Sequence, residues 1–270
     1  MYPNNRKNIF LKNNNCLTYS VDIKTIDSKL NHYKNKNNTK EYSLKTEFYW
    51  EILKQKYPYD SKKKYCVFFN GCCCPPHKGH IESIKSAISM LPGCKVIINQ
   101  LGASKRHGVP SKYNSELLKK YLSVVFGNSP DIQYMFRATN KEIFTHKFVT
   151  NSDVLVVIRG EEFEDINSIN IVEETNKTNK INEQRFKKYI KKLNEINIKI
   201  DFYLQSRQID KISATKFMES LDIYKYKQKK GIETKEDFYI IMDFIPDKIS
   251  FKDKYKIVKK LLSYNTYTTI

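Results

Sequence analysis

The sequence predicts an α/β fold in which five parallel strands form a doubly wound sheet. Short runs rich in Val, Ile and Phe alternate along the chain with segments whose apolar residues recur every three or four positions, a pattern typical of alternating strands and helices. The run from Val154 to Ile158 is wholly apolar, as expected for a strand buried on both faces. With 270 residues, the chain is long enough for one such core with appendages.

Residues 1–60 are predicted to form an N-terminal extension, which is rich in Asn and Lys and weakly periodic in its first part. One helix is predicted near its end, because five apolar side chains fall on one helical face before Pro58. These are Leu44, Phe48, Tyr49, Ile52 and Leu53.

Residues 61–222 are predicted to form the α/β domain. Its strands are predicted at Tyr65 to Asn70, Lys95 to Gln100, Ile132 to Phe136, Val154 to Ile158, and Ile198 to Leu204. The spacing of apolar residues predicts helices around Ile81 to Leu91, Leu117 to Val125, and Phe186 to Leu193.

Residues 223–270 are predicted to form a basic, mainly helical C-terminal segment. The basic run extends from Lys225 to Lys230, and an apolar run follows from Phe238 to Met242. A last helix is predicted with Ser250 as its N-cap, and four residues are expected to face inward: Tyr255, Val258, Leu261 and Leu262.

The composition narrows the class of partner. The 48 Lys and Arg against 29 Asp and Glu give a net charge of +19, which favours anionic partners such as nucleotides or nucleic acid; a Lys- and Asn-biased composition is the alternative source of the charge. No apolar stretch is long enough to cross a membrane, and no secretory signal is evident. The six cysteines lack the spacing of a zinc finger, and three of them are adjacent. We therefore expect a reducing, cytoplasmic location and no membrane partner.

The segment between the first strand and the first helix is the most informative part of the sequence. It runs from Asn70 to His80 and is expected at the carboxyl end of the sheet, where doubly wound folds bind ligands. Gly71 allows a sharp turn out of the strand, and Gly79 allows a phosphate to approach the N–H groups at the helix start. His77 and His80 are three positions apart and can point at one site there; the alternative is that they only cap the helix.

A second candidate helix start follows the fifth strand, between Ile212 and Met218. Ser213 is a suitable N-cap, and the amides of Ala214 and Thr215, the Thr215 hydroxyl and the Lys216 ammonium are expected to contact a polyphosphate. Taken alone, this pattern more often indicates only a cap, and it gains weight from its pairing with the first segment.

Two other segments are expected at the same edge of the sheet. Gly160 follows the fourth strand and allows the base or the acceptor to approach closely, and Glu161 is a candidate ligand for a ribose hydroxyl or a metal. The basic loop after the second strand is a candidate phosphate contact, or simply a solvated loop: Lys105, Arg106 and His107.

The two helix starts together resemble the signatures of the nucleotidylyltransferase superfamily, which includes cytidylyltransferases and nicotinamide mononucleotide adenylyltransferases. Gly71 to His80 resembles the motif G-x-F-x-P-x-H-x-G-H, and Ile212 to Met218 resembles I-S-x-T-x-x-R. The resemblance covers about residues 63–222. It implies a Rossmann-like domain that transfers a nucleoside monophosphate, with AMP from ATP as the leading interpretation, to a phosphate-bearing acceptor such as nicotinamide or nicotinate mononucleotide, with release of pyrophosphate.

The resemblance implies that His77 and His80 hold the nucleotide phosphates, that the backbone at Gly71 and Cys72 lies against the nucleotide, and that Ser213 and Thr215 bind the β and γ phosphates. A Mg²⁺ ion is expected, held by the substrate phosphates and water rather than by protein ligands. With the candidates named from their position alone, the nucleotide-binding set is Asn70, Gly71, Cys72, Gly79, Gly160, Glu161, Ser213, Ala214 and Thr215, and the catalytic set is His77, His80 and Lys216.

The sequence departs from the family pattern at three positions. Cys73 stands where the family usually has Phe, Cys74 where it often has Asp or Gln, and Met218 where it has an Arg that binds polyphosphate. The charge of that Arg would have to come from Lys216, Lys211 or Arg207. The loss at Met218 favours an alternative function, a non-catalytic module that binds a nucleotide, or nucleic acid through its basic surface. A relationship to class I aminoacyl-tRNA synthetases agrees less well with the sequence, because Ile212 to Met218 does not match their Lys-rich second signature.

Overall fold

The structure is a computed structural model, and it describes residues 59–102, 108–161, 180–181, 183–184, 186–206 and 214–264. Several predictions from the sequence therefore lie outside the described residues: the helix of the N-terminal extension, the basic loop of Lys105, Arg106 and His107, the N-cap Ser213, and the candidate cations Arg207 and Lys211.

Five strands form a single sheet in which every neighbouring pair is parallel, in the order β3-β2-β1-β4-β5. The strands are β1 (Tyr65–Gly71), β2 (Lys95–Gln100), β3 (Ile132–Phe136), β4 (Val154–Glu161) and β5 (Lys199–Ser206). The predicted fold class, a Rossmann-like five-stranded parallel α/β sheet, is confirmed.

The fourth strand is three residues longer than the sequence predicted. Arg159, Gly160 and Glu161 were expected to follow the strand, but they pair in register with Leu204, Gln205 and Ser206 of β5. The apolar pattern stops at Ile158, while the backbone ladder with β5 continues to Glu161. Gly160 and Glu161 thus occupy the carboxyl end of β4.

Helices cover both faces of the sheet. They are α1 (Lys78–Met90), α2 (Ser111–Phe126), α3 (Asn140–Phe144), α4 (Lys147–Thr150), α5 (residues 186–194), α6 (Ala214–Lys230), α7 (Lys235–Met242) and α8 (Phe251–Leu262). The short helices α3 and α4 were not predicted, because helices of five and four residues show no apolar repeat.

Alternate residues of the central strands point into two separate cores. In β1, Val67 and Phe69 pack into the core that α1, α2, α6, α7 and α8 cover, whereas Cys66 and Phe68 pack into the core that α3, α4 and α5 cover. This period of two is the geometry of a strand, and it explains why β1 and β4 are apolar at nearly every position.

The C-terminal helices pack into the same core as α1 and α2. Helix α6 begins at Ala214 and continues to Lys230, and it therefore crosses the predicted boundary at residue 222, which itself stays a prediction. Ser250 caps α8 as predicted, accepting the N–H of Asp253. The inward orientation predicted for Tyr255 is wrong, because its side chain is 45% exposed. Among the described residues, no helix combines the length and apolar character needed to span a membrane.

Candidate functional site

After β1 the chain continues to β2 on one side, toward one edge of the sheet, and after β4 it continues to β5, toward the other edge. The strand order therefore reverses between β1 and β4. In doubly wound folds the carboxyl ends of such a strand pair open a crevice in which ligands bind. Here the two strand ends are Gly71 in β1 and Glu161 in β4, and the loop from β1 to α1 begins beside them at Cys72. Two of the segments predicted from the sequence therefore meet at this point.

The loop from β1 to α1 is tightly folded and mostly buried. Cys73 has a φ of 45°, in the left-handed region that a residue with a Cβ adopts at a cost. Its side chain and that of Cys74 are each 2% exposed, and burial raises the pKa of the Cys73 thiol. The Cys74 thiol donates to the carbonyl oxygen of Cys72 at 3.0 Å. Cys73 and Cys74 are thus packed in the interior of the loop.

His77 and His80 cap the first helix. The Nδ1 of His77 accepts the N–H of Gly79 at 3.1 Å, and the Nδ1 of His80 accepts the N–H of His77 at 3.2 Å. The two residues form a capping box of the kind usually made by Ser or Thr and Glu or Gln. The cap that the sequence analysis set against a ligand-binding role is therefore present.

The cap also determines the tautomer of the two imidazoles. An Nδ1 atom that accepts a hydrogen bond carries no proton, so each neutral ring carries its proton on Nε2, which is then a donor. The ring centroids are 3.8 Å apart, and the His80 ring meets the edge of Phe69 at 6.1 Å. The cap thus holds two adjacent imidazoles at the start of α1, with Nε2 on the far side of each ring from the capping nitrogen; His77 is 4% exposed and His80 is half-buried.

Asn70 is held in place by the neighbouring strand. The buried Asn99 donates from Nδ2 to Asn70 Oδ1 at 3.0 Å and to the carbonyl oxygen of Ala138 at 3.2 Å, and its Oδ1 accepts the Ala138 N–H. Asn99 already donates to Oδ1 of Asn70, so the Nδ2 group of Asn70 is the part of that amide that can donate to a ligand. Asn70 is half-buried at the end of β1.

The helix α6 begins with the predicted nucleotide contacts. Ala214 is half-buried, Thr215 is exposed and Lys216 is half-buried, whereas Phe217 and Met218 are buried in the core. Met218 is 3% exposed, so the position at which the family carries an Arg here supplies packing. Lys216 is then the one cation in this turn, residues 214–218, that the structure describes.

Phe244 connects the two helix starts. The N–H of Lys78, at the beginning of α1, donates to the carbonyl oxygen of Phe244 at 2.7 Å. The ring of Phe217, in the first turn of α6, stacks on the ring of Phe244 with a centroid distance of 4.9 Å and an interplanar angle of 2°. The two segments singled out from the sequence, 137 residues apart between His77 and Ala214, therefore contact the same residue.

The charge of Lys78, at the start of α1, is paired with a carboxylate of the segment before α8. Its ammonium pairs with Asp247 at 2.7 Å, and Lys254 approaches the same carboxylate at 3.8 Å. Partial burial opposes ionisation of Asp247, but the hydrogen bond and charge of Lys78 outweigh it and lower the pKa of that carboxyl group. This ion pair fastens α1 to the segment before α8.

Sequence reasoning missed four residues that shape the site. Gln100 donates to the loop carbonyl of Cys73, and Tyr134 donates to Gln100. Asn99 holds Asn70, and Phe244 joins the two helix starts. A polar pair, Asn99-Gln100, at the end of an otherwise apolar strand was the available signal. Nothing local marks Phe244, because its role depends on a contact across the chain.

Within the described residues, no group of three or more His, Cys, Asp or Glu side chains could hold a metal ion.

No protein-family model matches the chain, and no curated protein matches it. Among solved structures, the chain is similar to a bifunctional NMN adenylyltransferase/ADP ribose pyrophosphatase from Francisella tularensis, at 15% identity and a TM-score of 0.44. The match covers 76% of this chain and 51% of that one, so this chain spans about half the length of that protein.

Proposed function

We propose that this chain is a nucleotidyltransferase, which transfers AMP from ATP to a phosphate-bearing small molecule and releases pyrophosphate. Nicotinamide or nicotinate mononucleotide is the acceptor we propose to test first. The observation that carries the proposal is the pair of imidazoles that cap α1, His77 and His80. They lie at one of the two helix starts that Phe244 joins. Helix N-termini favour phosphate groups through their dipoles and N–H groups. At α1 the N–H groups of Lys78, Gly79 and His80 already donate within the protein, contrary to the expectation from Gly79, so the dipole and the imidazoles would act on the phosphate there.

In the proposed reaction, a phosphate oxygen of the acceptor forms a bond to the α-phosphorus of the triphosphate. The bond from that phosphorus to the bridging oxygen breaks, and pyrophosphate leaves with the electron pair. Such a transfer depends mainly on positioning and on stabilising the developing negative charge. The Nε2–H groups of His77 and His80 would donate to the α-phosphate, and the first turn of α6 with Thr215 and Lys216 would hold the β and γ phosphates.

A Mg²⁺ ion that bridges the phosphates would supply further charge neutralisation. In our proposal it arrives with the nucleotide, because Mg²⁺ keeps several waters and is commonly bound through substrate phosphates. Asn70, Gly71, Cys72 and Gly79 would line the nucleotide on the β1 side, with Gly160 and Glu161 on the β4 side. Ser213 would complete the α6 side together with Ala214.

The test is a panel of nucleoside triphosphates against mononucleotide, phospholipid-headgroup and sugar-phosphate acceptors, scored by pyrophosphate release. We expect one combination to turn over, and we expect His80→Ala to lower the rate at least ~100-fold, in the range for a transition-state donor. His80→Gln is the matched variant, because Gln at this position preserves the capping box while removing the imidazole. Pyrophosphate release at the wild-type rate in either variant would place the active site elsewhere.

The second candidate, nucleotide binding without turnover, is favoured by one observation. Met218 is buried where the family has a polyphosphate-binding Arg, and a lysine ammonium does not reproduce a bidentate guanidinium. This function predicts triphosphate binding by calorimetry with no pyrophosphate from any acceptor in the panel. If the basic surface also binds nucleic acid, that affinity should fall steeply with salt.

A further inference from the structure

The side chain of Gln100, the last residue of β2, is fully buried and makes hydrogen bonds through both ends of its amide. Its Nε2 donates to the carbonyl oxygen of Cys73 at 3.2 Å, and its Oε1 accepts the hydroxyl of Tyr134 at 2.6 Å. The opposite orientation of the amide would set Oε1 against the Cys73 oxygen and Nε2 against the Tyr134 hydroxyl. The contact with the carbonyl therefore determines which way the amide points.

The chain of hydrogen bonds continues to the second helix. The Tyr134 hydroxyl lies 2.7 Å from Oγ of Ser115, in the second turn of α2. Because the Tyr134 proton is directed at Gln100, Ser115 is the donor of this bond. All three hydrogen bonds therefore point the same way: Ser115 donates to Tyr134, Tyr134 donates to Gln100, and Gln100 donates to the Cys73 carbonyl.

This carbonyl belongs to the strained residue of the loop. Cys73 has a φ of 45°, and such a conformation in a residue with a Cβ persists only when its surroundings hold it. The start of the loop is tied to the same strand end, since the N–H of Leu101 donates to the Gly71 carbonyl oxygen at 2.9 Å. The segment from Cys73 onward leads within four residues to the imidazole of His77.

We propose that Gln100, Tyr134 and Ser115 are positioning residues for the nucleotide site. They hold Cys73 in its left-handed conformation and so fix the path of the loop that brings His77 to the start of α1. Their effect on turnover rests on the proposed function, whereas their hold on the loop does not.

The hold on the loop is tested by thiol alkylation, which needs no activity. In the wild-type protein, Cys72 is partly exposed, while Cys66, Cys73, Cys74 and Cys94 are buried. In Gln100→Leu and in Tyr134→Phe, we expect iodoacetamide to modify Cys73 and Cys74 at least ~10-fold faster than in the wild type, as resolved by fragment-ion mass spectrometry. Cys66 and Cys94 serve as internal controls and should keep their protection, which separates a loosened loop from global unfolding.

The matched control is Tyr121→Phe. The Tyr121 hydroxyl is buried and makes no hydrogen bond among the described residues, so this variant removes the same atom as Tyr134→Phe without breaking the chain. We expect wild-type alkylation rates and wild-type turnover in Tyr121→Phe. If Gln100→Leu does not fold, Tyr134→Phe still decides the question, because it removes a single oxygen.

Gln100→Glu gives a readout that a merely structural role would not produce. An ionised Glu cannot donate to the Cys73 carbonyl, whereas a protonated Glu can donate there and still accept from Tyr134. The ratio of variant to wild-type kcat should therefore rise as the pH falls. The ratio of variant to wild-type alkylation rate at Cys73 should fall in parallel; the ratio is needed because the thiolate fraction falls with pH in both proteins. A pH-independent ratio would contradict the proposal.

The two proposals fail in different ways. Unchanged protection of Cys73 and Cys74 in both Gln100→Leu and Tyr134→Phe overturns the positioning role, and so does lost protection with wild-type kcat and KM. If the wild-type protein neither binds nor turns over any triphosphate, the proposed function fails, and the alkylation rates alone still decide whether these residues hold the loop.

Discussion

In the proposed reaction, the imidazoles of His77 and His80 would perform two tasks with two different nitrogens. Nδ1 of each ring completes the cap of α1, and the proposed reaction uses Nε2. A ligand role and a capping role are therefore compatible, although the sequence presented them as alternatives. Substitutions that imitate only the cap can separate the two.

His77→Asn is such a substitution. Asn is among the best N-caps, so we expect the free energy of unfolding to change by less than about 1 kcal/mol, as measured by urea denaturation. Pyrophosphate release should nevertheless fall at least ~100-fold, as for the loss of a transition-state donor. His77→Ala is the control that loses both cap and donor. Turnover that survives in His77→Asn would mean that the imidazole only caps the helix.

The burial of Met218 leads to a prediction against restoring the family residue. Met218 is 3% exposed within the core, and a guanidinium placed there is costly unless it is paired. We expect Met218→Arg to lower the free energy of unfolding by about 3 kcal/mol or more, the range for burying an unpaired charge, and to leave triphosphate affinity unimproved by calorimetry.

Met218→Leu is the volume-matched control, and it should cost less than about 1.5 kcal/mol. If Met218→Arg instead binds triphosphate more tightly at wild-type stability, the side chain at this position reaches the site, and the assignment of Met218 to packing is wrong.

At the scale of single residues, the sequence singled out the histidines at the start of α1 but not the residues that support the loop before them. His77, His80 and Gly79 stand in a local pattern whose spacing follows from helix geometry. Gln100 and Tyr134 are 27 and 61 residues away from Cys73, and no local rule connects them. Their contacts exist because β2 lies between β1 and β3 in the sheet, which is a property of the topology.

Among the helices, the cap of α4 carries a titratable group. Nδ1 of His146 accepts the Phe148 N–H at 3.2 Å, so the cap requires an unprotonated Nδ1. Partial burial, with the charge of Lys147, lowers the pKa of His146 below its usual value of 6.5. The unfolded chain therefore binds this proton more readily than the folded chain does.

The stability that this cap contributes is fully present above about pH 6.5 and is lost as the pH falls from there through the lower pKa of the folded state. We expect the free energy of unfolding to fall between pH 7.5 and 5.0 by an amount that His146→Asn reduces, because Asn caps without titrating. The difference should be at most about 1 kcal/mol, the worth of a cap, since His146 is only partly buried and solvent screens its charge.

Urea denaturation of both proteins at the two pH values measures this difference. His146→Ala, which lacks the cap at both values, should start from a lower stability and share the weak pH dependence of His146→Asn. An identical pH dependence in wild type and His146→Asn would assign the titration to another group.

The elements themselves were predicted well where burial gives them a period. The observed bounds of β2 and β3 coincide with the prediction, because turns and charged residues flank both apolar runs. The end of β4 was missed, since the backbone ladder with β5 continues past the last apolar residue. Helix α3 could have been anticipated from its capping box of Thr139 and Glu142, a signal that does not depend on length.

For the molecule as a whole, the C-terminal helices are part of the core on one face of the sheet. Ten buried apolar residues beyond position 222 belong to the same cluster as β1, α1 and α2: Tyr224, Phe238, Ile241, Met242, Phe244, Ile245, Ile249, Ile257, Val258 and Leu261. The sequence predicted a separate basic segment here, because the lysines dominate its composition and the apolar residues between them are assigned to a core only by the fold.

A chain that ends after residue 222 is therefore expected not to fold. Burial of a large apolar side chain contributes about 1.5–3 kcal/mol, so the loss of ten such side chains equals or exceeds the total stability of a typical domain, about 5–15 kcal/mol. The cut would also divide α6 and remove Phe244, which joins the two helix starts.

A matched chain that ends after residue 264 retains α6, α7 and α8 and should unfold cooperatively, with triphosphate affinity equal to that of the full chain. Circular dichroism and urea denaturation of both chains measure the difference. A cooperative transition in the shorter chain would show that residues 61–222 form a domain of their own and that the C-terminal helices only cover it.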